Sequence, residues 1–237
     1  MVLKIWQLLD GFVYIFYITI NSYDIPAQYI YILDDDELEV FRNYKVAFKK
    51  AEFLVGRALT KLLLSKCLEI EPEKIHFIKN NYGKLYLRDY LKYKNGEFIQ
   101  FNIAHSHNIV ACAFALTNEV GIDIEKVQGP ILDIVERFFS VGEKEYITKC
   151  ELTQRNMMAY KIWTLKESFI KAKGVGLSIA LDSFDVTQLD KEVFFKSFVL
   201  KEGYYLSIAI NNPYKCNFKI RMMDIGDLKD IEEKNVL

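Results

Sequence analysis

Asp123 and Glu125 stand two apart in the stretch VGIDIEKV (120–127). In an extended chain residues two apart share a face, so both carboxylates point one way while Ile122 and Ile124 point the other. Two like charges held this close call for a cation between them, and without one a carboxyl titrates upward. A second stretch, KIWTLKESFIKAKGVGLS (161–178), supplies matching chemistry. On a helix Trp163, Glu167, Lys171 and Gly174 fall at i, i+4, i+8 and i+11, so one face carries an aromatic ring, a carboxylate and an ammonium in succession. Taken alone, Glu167 and Lys171 read as an ordinary surface pair worth about 0.2–0.5 kcal/mol. Taken with the strand, Glu167 becomes a third oxygen donor beside Asp123 and Glu125, and three carboxylates suit a hard cation such as Mg²⁺, with water and substrate phosphate filling its other positions. Lys166, Lys171 and Lys173 around the same helix could neutralise phosphate oxygens, which points to phosphoryl transfer.

A third stretch, FNIAHSHNIVACAFA (101–115), places His105 and Ser106 at a strand end. A serine nucleophile is disfavoured here, because no G-x-S-x-G elbow is present and adjacent strand residues face opposite ways. His105 or His107 either caps the strand end or donates to a phosphate.

Composition sets the frame for these residues. The 237 residues suffice for one large domain or two of roughly 100–150. An apolar fraction of 51% and a charged fraction of 27% describe an ordered globular chain. Thirty-one Lys and Arg against 32 Asp and Glu leave a formal charge of −1, without the basic excess of a nucleic-acid binder, so no nucleic acid is expected as partner. Cys67, Cys112, Cys150 and Cys216 show neither a C-x-x-C pair nor a metal-like spacing to histidine and read as reduced core thiols. GFVYIFYITI (11–20) resembles the apolar core of an export signal, but Asp10 precedes it and no small-x-small site follows. Ten residues are too few to span a bilayer, so a β-branched and aromatic strand is the better reading, with a cytoplasmic location and no membrane partner expected.

The elements that must hold the acidic residues follow from periodicity. Residues from about 35 to 68 read as helix with one buried face through Val46, Phe48, Phe53, Leu54, Ala58, Leu59, Leu62 and Leu63, Arg57 and the lysines lying mostly elsewhere on the wheel. Pro72 ends that region, and KIHFIK, KLYLRD, FIQFNIAH and NIVACAFAL read as strands separated by Asn80, Asn81, Gly83, Asn95 and Gly96. From Pro130 helices return: PILDIVERFF, then SVGEKEYITKC with a capping box at Ser140 and Glu143, then one over roughly 153–173 closed by Gly174 and Gly176. SFDVTQL, VFFKSFVL, YYLSIAI and NFKIRMM read as strands. Strand, long helix, strands occurs twice, which predicts an α+β fold of two similar α/β lobes in pseudo-twofold arrangement, each a small, mainly antiparallel sheet packed with a long helix. The lobes are expected at 1–116 and 117–237.

FNIAHS, GIDIEKV, RFFSVGE and WTLKESFIKAKGVGLS, in this order, resemble the signature of the Sfp-type 4′-phosphopantetheinyl transferases. The likeness is densest over 101–186, where LDSFDV also fits, and reaches AEFLVGRAL (51–59), NYGKLYL (81–87) and the closing strands. The resemblance implies that Asp123, Glu125 and Glu167 bind Mg²⁺, with Glu167 also acting as base, directly or through water, on an acceptor serine. Lys171 matches the lysine that meets the pyrophosphate of coenzyme A and the leaving group. His105 matches the histidine near the 3′-phosphate, and Ser106 beside it counts with the cofactor residues. Lys84 stands where the family has a Gly-Lys-Pro lysine along the cofactor. Lys49, Lys50 and Arg57 fall among its nucleotide-end cations, and Lys166 joins Lys171 as a phosphate contact. Two departures are visible: Ala104-His105-Ser106-His107 replaces Ser-His-Ser-Gly, and Gly83-Lys84-Leu85 replaces Gly-Lys-Pro.

The implied reaction moves the 4′-phosphopantetheine arm from coenzyme A to a serine of an acyl or peptidyl carrier protein and releases 3′,5′-ADP. Phe138, Phe139 and the segment to about 150 are candidates for docking the carrier, unless both rings are core. Two fused lobes imply a monomer. A catalytically inactive coenzyme A or nucleotide-binding relative is the alternative, against which the intact Asp123, Glu125, Glu167 and Lys171 set argues. A different Mg²⁺-dependent phosphotransferase or a nuclease is a third reading, the nuclease disfavoured by charge.

Overall fold

The computed structural model describes residues 11–20, 26–88, 97–188, 192–200, 203–211, 217–223 and 225–233. The ten residues ahead of the first strand, the turn at Asn95 and Gly96, and Cys216 lie outside them. The fold is mixed α/β with small, mainly antiparallel sheets, and it divides into two compact units. One comprises Met1–Ile78, Leu85–Thr117 and Cys216–Leu237; the other comprises Lys79–Lys84 and Asn118–Lys215.

The first unit is built on a four-stranded sheet of order β4-β5-β1-β9, from β1 (Phe12–Thr19), β4 (Ile99–Ser106), β5 (Ile109–Leu116) and β9 (Asn217–Met223). β4 and β5 form a hairpin in which Ser106 pairs with Ile109. The first residue of its two-residue turn, His107, has φ +51, a left-handed conformation usually left to glycine. This accounts physically for the glycine of the family pattern at that position. Helix α2 (Ala47–Leu68) packs on β4 and β5. It is preceded by α1 (Asp35–Asn43), whose N-terminus carries an Asp34/Glu37 capping box, so the helix expected over 35–68 is two helices parted by extended backbone at Tyr44 and Val46. Between α2 and β4, the short strands β2 (Phe77–Lys79) and β3 (Leu85–Leu87) pair with each other.

β9 corrects the lobe expected at 117–237. It runs parallel to β1 from Phe12↔Asn217 to Ile18↔Met223, and α6 (Ile225–Glu233) lays Leu228 and Ile231 into the core around α2. Alternation in NFKIRMM marks a strand without saying which sheet edge will take it. Because α1 and α6 also lie against α2, residues 54–65 of α2 are buried all round instead of along one face.

The second unit has a three-stranded antiparallel sheet of order β6-β8-β7, from β6 (Val120–Lys126), β7 (Val193–Leu200) and β8 (Tyr204–Asn211). Across it lies α5 (Leu152–Lys173), packed on β6 and β8 and closed by Gly174 in a left-handed conformation, φ +64. α3 (Leu132–Phe138) and α4 (Val141–Lys149) precede it, α4 with the expected Ser140/Glu143 capping box. Over 183–188, the described part of SFDVTQL, there is no strand: a 3-10 turn covers Leu181–Ser183, and Asp185 then takes the Thr187 amide and hydroxyl on its own carboxylate. Among the described residues no helix is long and apolar enough to cross a membrane.

Candidate functional site

β6 brings Asp123 to α5 because Gly121 lets the two backbones meet. A Cβ at Gly121 would stand 2.0 Å from the Ser168 carbonyl and 2.3 Å from the Ala172 amide, so only glycine allows the strand to lie this low on the helix. Asp123 and Glu125 share the Gly121 face, opposite Ser207 and Tyr205 of β8, and Ser207 Oγ meets Thr164 Oγ1 of α5 at 2.7 Å. The carboxylate face of β6 is therefore the face that α5 covers, while Val120, Ile122 and Ile124 are wholly buried on the other.

On the helix side Lys171 Nζ donates to Asp123 Oδ1 at 2.6 Å. Burial works against the Lys171 charge, yet Asp123 and then Glu167 and Glu125 outweigh it and hold the ammonium above its ordinary pKa. Glu167 goes the other way: burial pushes its carboxyl up, Lys171 opposes, and the Asp123 charge adds to the rise. The rise is first an effect of burial and falls on Glu167, whereas like-charge crowding predicts it for one of the strand pair Asp123 and Glu125. Three acidic groups thus act on one ammonium, drawn from a strand and a helix. Among the described residues no group of three or more His, Cys, Asp or Glu side chains already stands at metal-holding spacing. The donor chemistry nevertheless fits a hard divalent cation: Asp123 and Glu125 on one face of β6 and Glu167 on α5 offer carboxylate oxygens, the donors such a cation takes.

The rotation of α5 that aims Glu167 is set by its neighbour. Lys166 is fully buried and donates to both Glu143 oxygens at 2.7 and 2.8 Å and to the Phe184 carbonyl at 2.8 Å, with its ammonium 4.2 Å from the Phe184 ring centroid. Glu143 also accepts from the Val186 amide at 2.9 Å while capping α4 through the Ser140 amide. Lys166 is accordingly not a phosphate contact; its charge is spent inside the fold, tying α4, α5 and the segment after Leu181 together. Removing one member of such a pair strands the other, so Lys166→Met is expected to lower unfolding free energy by about 3–5 kcal/mol in urea titration. A change within about 0.5 kcal/mol would show that the pair holds nothing.

In the first unit a second constellation centres on a residue that sequence reading passed over. Glu52, 2% exposed on α2, takes Lys49 Nζ at 2.6 Å and lies 3.4 Å from His105 Nδ1. Burial works to raise the Glu52 carboxyl, but contact with His105 and Lys49 prevails and holds it below the usual range. Lys49 and His105 are thus brought together by a shared carboxylate, with His105 half exposed. Its spacing of three residues from Lys49 was the available signal. Ser106 is buried, its hydroxyl 3.2 Å from His107 Nδ1. The Lys50 ammonium lies over the Phe41 ring. Arg57 is not available to a nucleotide: it is buried, pairs with Glu37 at 2.8 Å and stacks against Phe53 and Phe77, because α2 is enclosed where the helical wheel left it outside.

Lys84 is buried in the second unit, with Nζ donating to the Ala172 carbonyl at 2.5 Å. Burial depresses its pKa to about 8, against the opposing pull of Glu119. Phe139 is 2% exposed and belongs to the core, while Phe138 is partly buried, packed against the same cluster with its ring 5.8 Å from that of Trp163.

A family model described as the 4′-phosphopantetheinyl transferase superfamily matches residues 119–217, and one described as 4′-phosphopantetheinyl transferase, N-terminal matches residues 25–117. The chain is similar to the 4′-phosphopantetheinyl transferase Sfp of Bacillus subtilis (strain 168), 32% identical over 172 residues that make up 68% of this chain and 74% of that protein. It is similar also to the 4′-phosphopantetheinyl transferase gsp of Aneurinibacillus migulanus, 33% identical over 183 residues, 74% of this chain and 69% of that one. A mouse protein, L-aminoadipate-semialdehyde dehydrogenase-phosphopantetheinyl transferase, is 28% identical over 213 residues, 76% of this chain and 68% of that one. With its acidic strand and Glu-Lys helix set against each other as described, the chain belongs to the 4′-phosphopantetheinyl transferase superfamily, as an enzyme of Sfp type.

Proposed function

We propose that this enzyme transfers the 4′-phosphopantetheine arm of coenzyme A to a serine hydroxyl of an acyl or peptidyl carrier protein, in a magnesium-dependent reaction that releases 3′,5′-ADP. The observation that supports this reading is the 2.6 Å contact of Lys171 with Asp123, on an ammonium that Glu167 and Glu125 also hold in its charged form. Asp123, Glu125 and Glu167 would hold the Mg²⁺, which when bound offsets charge on the pyrophosphate oxygens and makes the phosphorus more electrophilic. Lys171, kept as an ammonium by its acidic neighbours, donates to the pyrophosphate oxygen that departs with 3′,5′-ADP. Glu167 takes the serine proton at a carboxylate oxygen as the serine Oγ forms its bond to phosphorus and the bond to the leaving oxygen breaks. His105, sharing the Glu52 carboxylate with Lys49, meets the 3′-phosphate of coenzyme A, with Glu52 holding the Nδ1 side of the imidazole so that the other ring nitrogen is presented. Leu132, Val141 and Tyr146 are exposed along α3 and α4 and offer the carrier an apolar contact.

Incubation with coenzyme A, Mg²⁺ and an apo carrier protein tests the reading by intact mass. The carrier is expected to gain one phosphopantetheine arm, and chelation of divalent metal is expected to stop the gain. Coenzyme A binding without transfer to any of several acyl and peptidyl carriers would replace this reading with that of an inactive relative.

A further inference from the structure

The last turn of α5 has an external support. A helix leaves its final carbonyls without intrahelical donors, and here two of them are taken by one turn from a distant part of the chain. Lys84 Nζ donates to the Ala172 carbonyl at 2.5 Å and Asn80 Nδ2 to the Gly174 carbonyl at 2.6 Å. Gly174 adds only its own amide bond to the Ile170 carbonyl.

The supporting turn is itself built to hold that shape. Asn80 Oδ1 accepts from the Tyr82 and Lys84 amides at 3.0 Å each, the Gly83 amide bonds the Asn80 carbonyl at 3.0 Å, and Gly83 takes φ +87. Tyr82 lies against Gly176, where an added Cβ would come 3.2 Å from the Tyr82 Cβ. A cation at a helix C-terminus is favourable, and Lys84 is 7% exposed there. Glu119, just before β6, is the charged group acting on it. Ala172 is also the residue against which Gly121 of β6 is pressed. The turn, the strand and the helix end therefore meet one residue beyond Lys171.

We infer that Lys84 and Asn80 are positioning residues that fix the last turn of α5 and so the place from which Lys171 presents its ammonium. Their effect on catalysis rests on the transferase reading above; their effect on the helix end does not. Lys84 acts here through Ala172, in place of a contact along coenzyme A.

Two variants and two measurements test this. In Lys84→Met, and separately in Asn80→Ala, kcat for transfer is expected to fall by about 10²-fold, with KM for coenzyme A within about threefold. A shared phenotype is the diagnostic outcome, since Asn80 carries no charge for a phosphate. Amide hydrogen exchange over 170–174 is expected to quicken about tenfold in both variants, with that of β7 and β8 unchanged. This reading requires no carrier and stands whether or not transfer is found. Unchanged exchange at the helix end would overturn the inference. So would a raised coenzyme A KM in Lys84→Met with unchanged kcat and a wild-type Asn80→Ala, which would return Lys84 to a direct ligand role.

Discussion

Glu167→Gln is expected to lose transfer activity by about 10²–10⁴-fold while melting, without metal, at or above the wild-type temperature at neutral pH. The two halves have one cause. Burial and the neighbouring Asp123 charge raise the Glu167 carboxyl in the folded protein, with Lys171 opposing only in part. An acid whose folded pKa is raised binds its proton more tightly in the native state. Stability therefore falls as pH rises from the unfolded carboxylate range through the folded value. Glutamine keeps the shape and removes the charge that disfavours the fold, so the stability difference between variant and wild type should vanish near pH 4 and favour the variant at pH 7. Lys171 keeps its 2.6 Å partner Asp123 throughout. The same substitution removes an oxygen donor and the proton acceptor, so added Mg²⁺ should raise the wild-type melting temperature and leave the variant's nearly unmoved. Paired thermal scans with and without Mg²⁺ and a transfer assay give all three readings. Retained turnover removes Glu167 from catalysis, and a variant several degrees less stable at pH 7 refutes the account of its burial.

What could be read from the sequence was what is local. The shared face of Asp123 and Glu125, the Glu167–Lys171 spacing, the Ser140/Glu143 capping box and the stop at Gly174 all follow from the periods of a strand and a helix, and each is present in the fold. The errors came where a distant element decides. Glu143 was legible as a cap, but its bond to Lys166 spans 23 residues and turned an expected phosphate ligand into a buried tie. Arg57 lay off the apolar stripe of α2, and it is Glu37 of α1 and Phe77 of β2 that cover it there. α6 itself, nine residues with Leu228 and Ile231 toward the core, was missed because so short an amphipathic run carries little periodic signal. The strand expected at 183–189 is absent over its described part, 183–188, for a chemical reason: Asp185 competes for backbone donors that a ladder would need.

Gly121→Ala is expected to cost both stability and activity. The methyl group would sit 2.0 Å from the Ser168 carbonyl oxygen and 2.3 Å from the Ala172 nitrogen, and these are backbone atoms of α5 that no rotamer change can move aside. Either β6 lifts from the helix or α5 shifts bodily, and overpacking against backbone puts the cost at the upper end of single substitutions, about 3 kcal/mol or more. Gly129→Ala is the matched control. No heavy atom lies within 4 Å of its added Cβ, so its urea midpoint should stay near wild type. The folded fraction of Gly121→Ala is itself informative, because lifting β6 must lengthen the 2.6 Å contact between Asp123 and Lys171 two residues along the strand. Specific activity per folded molecule should therefore fall as well, which a stability defect alone would not produce. Near-normal stability would mean that β6 and α5 do not lie this close. Normal activity per folded molecule would mean that their closeness is not what sets Asp123 against Lys171.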